Sequence, residues 1–140
     1  MVTFPSFAFM KNYGLILKLA AIYNILWGAW VVLFPQHFFE LTNMQPLNHA
    51  TIWQGMGMVI GVYGIGYWLA SYDPIRHWPI VFVGFLGKIF GPIGYIFNYF
   101  TGQVSAEFGY TLITNDLIWW VPFTLILLET HRNGWKLTSK

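Results

Sequence analysis

The chain has 140 residues, of which 56% are hydrophobic, 21% aromatic and only 9% charged, and its formal net charge is +2. So few charges exclude the surface of an ordinary soluble domain, the thin scatter of Lys and Arg gives no nucleic-acid interface, and the absence of cysteine removes disulfides, thiolate catalysis and iron–sulfur ligation. The expectation is an all-α integral membrane protein, a bundle of four transmembrane helices forming one membrane domain over residues 1–140.

Met1 to Tyr13 is aromatic-rich and is expected to lie along the headgroup layer, with the N-terminus retained because no small-residue cleavage site follows the first apolar run. The first span is expected over residues 15–34, with Lys18 in its first turn, where the stem can snorkel, and Pro35 as its stop. A short amphipathic helix over residues 36–42 should lie in the interface, followed by a polar loop. The second span, residues 51–70, has no Lys, Arg, Asp or Glu, and Gly57, Gly61 and Gly64 form a strip on which another helix or a second copy can pack. After a tight Asp73-Pro74 connection come a third span, residues 78–100, and a fourth, residues 108–128.

Apart from Lys88, Lys and Arg fall at the N-terminus, in the second loop and in the tail, whereas the first and third loops have none. With an even number of spans this places both termini on the cytoplasmic side, which points to a multi-pass protein of a bacterial cytoplasmic membrane.

Two charges sit deep in apolar runs. By helical rise Lys88 lies about 15 Å and Asp116 about 18 Å from the same membrane face, so they share a layer. Each unpaired would cost about 2.5–3.5 kcal/mol on the insertion scale, so the economical arrangement has them facing one another, directly or through water. Pro92 lies four residues after Lys88 and takes away the donor its carbonyl would have had; Pro122 does the same for Ile118, and both are expected helix kinks. Asp116, Trp119, Trp120 and Phe123 fall on one helical side, and the two indoles need acceptors. Asn24, Tyr63 and Asn115 belong to the same layer by the same rise, and Gln54 lies nearer the outer face, where it could line an opening. A structural polar clasp that keeps helices in register is the competing reading of the same residues, with a ligand or proton site favoured because intramembrane ionisable groups are functional by default. His37, Glu40 and His49 are weighed as metal ligands and set aside as loop residues, so no metal site is assigned.

The layout of a span ending in Leu33-Phe34-Pro35, an amphipathic turn, a Gly-rich second span, an Asp-Pro-Ile-Arg connection and two further spans resembles the DoxX-like group of small bacterial four-helix membrane proteins. The resemblance implies a role in quinone-linked sulfur oxidation or as an accessory subunit, with a lipid-soluble ligand or membrane partner; no catalytic residue is carried over. The sequence therefore supports a binding or accessory module for a quinone-like or amphipathic ligand, with no resident cofactor beyond such a quinone or lipid. The bilayer is its first partner, with a homo-oligomer or membrane complex as a further expectation. A proton-coupled transporter, or an enzyme using Lys88 and Asp116 as acid and base, are the alternatives, the latter without any accompanying nucleophile or metal set.

Overall fold

The computed structural model describes residues 7–42, 44–45 and 48–137, and side chains within these from Asn12 onward. In chain order the helices are α1 (Phe7–Leu33), the short α2 (His37–Leu41), α3 (Ala50–Ala70), α4 (Trp78–Phe100), α5 (Gly109–Leu112), a π-helical segment (Ile113–Leu117) and α6 (Ile118–Arg132). The described residues are all-α. The last three form one continuous helical rod, because the π segment runs straight from α5 into α6.

Local chemistry sets the boundaries. Pro35 disfavours helical geometry at Phe34 and closes α1, while Pro79 sits in the first turn of α4, where its missing N–H costs nothing. Between α3 and α4 the Asp73 carboxylate accepts the backbone N–H of Arg76 at 3.1 Å, which tightens the turn. Pro92 and Pro122 lie inside helices that continue through them. The stretch expected along the headgroups behaves differently: residues 1–6 lie outside the described residues, and from Phe7 onward the chain is already the helix that becomes the first apolar run. Lys18 is consequently three turns into α1, with its ammonium 5.9 Å from the Trp68 ring and 5.7 Å from that of Tyr72.

The expected count of four membrane spans is corrected to three. Asn12–Leu33, Trp78–Phe100 and Gly109–Arg132 are long and apolar enough to cross a membrane. α3 has the length, 21 residues, but Gly55, Gly57, Gly61, Gly64 and Gly66 add little hydrophobicity, and Trp53, Gln54, Tyr63, Tyr67 and Trp68 carry polar groups. Freedom from charge is a weaker property than apolarity. The even span count that placed both termini on the cytoplasmic side falls with it.

α1 and α3 pack antiparallel with backbones nearly touching. A methyl group added at Gly28 would lie 2.5 Å from the Gly57 carbonyl oxygen, and one at Gly64 would lie 2.8 Å from that of Ala21. The glycine strip of α3 is thus largely occupied within the chain, by α1. α4 packs antiparallel on the α5–α6 rod, and the two pairs meet through Tyr67, whose ring is edge-on to Phe123 at 5.2 Å. Around it lies the main core of Leu17, Ala21, Val81, Trp119 and Ile126; a second, aromatic core of Phe38, Phe39 and Trp53 closes the α2 end.

Candidate functional site: a polar cavity between α3 and α4

A cavity of about 260 Å³ lies where α3, α4 and the π segment converge, with Asn24 of α1 in its wall. Lys88 and Asp116, only 5% and 3% exposed, both line it. The lysine reaches across to the π segment, donating from Nζ to the backbone carbonyl of Asn115 at 2.5 Å, and stands 5.9 Å from the Trp119 ring. Asp116 accepts through Oδ1 from the Asn115 side-chain amide at 3.1 Å, while its other oxygen faces Gly91, where an added methyl would stand 3.1 Å away. Among the described residues the ion pair within bonding distance is Arg132–Glu129 at 3.4 Å, so Lys88 and Asp116 share a cavity without touching.

The backbone explains how these groups are held. A π turn interrupts the ordinary i→i+4 ladder and leaves carbonyls open to side chains. Two are used: Asn115 O by the Lys88 ammonium, and Thr114 O by the Trp119 indole at 3.0 Å. On the facing helix, the Lys88 carbonyl that Pro92 deprives of its donor accepts the Trp120 indole N–H at 2.9 Å. The two deep indoles are thus satisfied by two carbonyls released by irregular backbone. Tyr23 of α1 donates to the Thr114 hydroxyl at 3.0 Å and ties the π segment to the opposite pair.

Two acceptors in this region have no donor. Asn24 Oδ1 and Asn115 Oδ1 are buried and without a hydrogen-bond partner, and both residues line the cavity. A buried unsatisfied amide oxygen costs about 1–3 kcal/mol. The floor is smoothed by Gly84, Gly87 and Gly91, and the wall at Met56 and Val59 is more than half exposed, so the cavity opens sideways between α3 and α4 onto the apolar exterior.

Of the residues singled out from the sequence, Lys88, Asp116, Asn115, Asn24 and Tyr63 line this one cavity. Trp119 and Trp120 brace it from behind, and Trp120 faces a separate apolar groove with Phe85 and Ile89. Gln54 is elsewhere: its amide donates to the Val32 carbonyl at 2.9 Å and ties α3 to the end of α1. His37 Nδ1 accepts the Trp30 indole N–H at 3.0 Å. Gly84, Gly87 and Gly91, which recur at three and four residues and thin this face of α4, are in the lining, and so is Tyr67, which no sequence pattern marks. Comparison with protein-family models, curated proteins and solved structures finds no match for the chain.

Proposed function

We propose that the protein is a small membrane-embedded binding or accessory module that takes the polar head of a lipid-soluble, quinone-like ligand into the cavity beside Lys88 and Asp116. The observation that carries this reading is the pair of buried, donorless amide oxygens, Asn24 Oδ1 and Asn115 Oδ1, in the wall of a cavity that also holds an ammonium and a carboxylate. A purely structural clasp would satisfy its own members, since a half-satisfied buried network is costlier than an apolar one. A quinone offers carbonyl oxygens to Lys88, and its reduced form offers hydroxyl donors to the asparagine oxygens and Asp116. At about 260 Å³ the cavity matches a ring rather than a whole isoprenoid molecule, and the lateral opening at Met56 and Val59 gives the tail a way out.

Native mass spectrometry of the protein released from its own membranes tests the reading. A co-purifying lipid-soluble molecule is expected on the wild-type chain and not on Lys88→Met, with helicity by circular dichroism unchanged. Equal retention by the folded variant would refute the assignment.

A further inference from the structure

The α2 end of the molecule contains a second cavity, of about 570 Å³, which shares no lining residue with the one around Lys88. Its wall brings together Phe39 of α2, Trp53 of α3, and Glu107 and Phe108 from the connection before α5. The rings form a continuous aromatic set: Phe39 and Trp53 lie 5.2 Å apart at 62°, and Phe38 bridges Trp53 at 5.4 Å and Phe108 at 5.8 Å. Trp53 is 91% buried, and its indole N–H has no acceptor.

Charge narrows what such a cavity can hold. Glu107 is the one charged residue among those lining it, and the sequence has no Lys or Arg from residue 19 to 75 or from 89 to 131, the two stretches that build this end. An anion would meet a carboxylate with no compensating cation. A metal ion would find a single carboxylate, with only the neutral side-chain oxygens of Thr42, Gln45, Gln103 and Ser105 beside it, and no cluster of three or more acidic or histidine ligands exists among the described residues. An organic cation suits the aromatic part of the wall, Phe39, Trp53 and Phe108, whose rings attract positive charge, and the exposed Glu107 at the rim supplies the opposite charge. The orphaned indole adds a second requirement, an oxygen that can accept a hydrogen bond.

We propose that this cavity binds a small alkylated ammonium group that carries an oxygen acceptor, the chemistry of a choline-type headgroup, either as a free solute or on a lipid. The site is independent of the Lys88 cavity and of any ligand there.

The test uses the full chain in nanodiscs of phosphatidylglycerol, whose headgroup has no ammonium, titrated with choline or tetramethylammonium and followed by saturation-transfer NMR. Choline is expected to bind about three- to tenfold more tightly than tetramethylammonium, the worth of one hydrogen bond to a buried donor. Trp53→Phe should keep the ring and abolish that preference. Glu107→Gln should weaken both ligands about two- to fivefold, the worth of an exposed charge pair, and Glu107→Asp, which keeps the charge, should retain most of the binding. In phosphatidylcholine discs, a choline titration that disappears identifies the lipid headgroup as the natural occupant, and one that persists identifies a free solute. Absence of binding by either cation in the phosphatidylglycerol discs overturns the proposal, as does binding that Glu107→Gln leaves unchanged in a variant of wild-type helicity.

Discussion

Pro92 and Trp120 form a pair that neither explains alone. The proline takes the helical donor away from the Lys88 carbonyl, and the indole of the facing helix supplies another at 2.9 Å, so a defect in one helix becomes a bond between two. Trp120→Phe should destabilise the protein by about 1–3 kcal/mol, the penalty for an unsatisfied buried acceptor. In a Pro92→Ala background, where the backbone N–H is restored, the same substitution should cost about 0.5–1.5 kcal/mol less, measured as a coupling energy in denaturant unfolding. Equal costs in both backgrounds would separate the proline from the indole. The need of the deep indoles for acceptors, and the release of the Lys88 carbonyl, were both legible in the sequence. That each would answer the other was not, because it depends on the rotation of α4 against α6, which no spacing within one helix encodes.

At the level of elements, α1 and α3 are held together by close backbone approach, and glycine is required at one point above all. Gly28→Ala would drive a methyl into the Gly57 carbonyl oxygen, an atom that no rotamer change can move aside, whereas Gly55 has open space around it. Gly28→Ala should therefore destabilise by about 1–3 kcal/mol, and Gly55→Ala should be neutral or gain up to about 1 kcal/mol from helix propensity. Thermal unfolding in detergent followed by circular dichroism distinguishes the two. Helical character was readable because charge-free runs are punctuated by Pro35, Asp73-Pro74 and Pro79. The number of spans was misjudged because α3 lacks charges yet is rich in glycine, tyrosine and tryptophan, and an uncharged run was counted as an apolar one. The π segment was invisible: Ile113 to Leu117 carries no proline or glycine to betray it, and depth counted at an even 1.5 Å rise takes a regular helix for granted. Asn115 shares the cavity with Lys88, but that its backbone oxygen would hold the lysine follows only from the irregular turn.

The whole molecule is two tight helix pairs, α1 with α3 and α4 with the α5–α6 rod, joined over a narrower boundary between α3 and α4. At one end of that boundary Gly66 lies against Ile80, with an added methyl 3.2 Å from the isoleucine, and Tyr67 presses on Gly84. At the other the helices diverge around the Lys88 cavity. Since the native chain has no cysteine, Gly66→Cys with Ile80→Cys introduces a single engineered bridge. Oxidising it should slow release of the ligand proposed for the Lys88 cavity, followed by native mass spectrometry, without changing how much is bound at the start; release at the wild-type rate would argue that the boundary does not move. The glycine seam and the divergence beside it give the protein the form of a half-open book. Its spine runs past Tyr67 and its fore-edge lies at Met56 and Gly91, so the flat ligand proposed for the Lys88 cavity would enter edge-on, and how far the covers can part would set how thick a molecule fits.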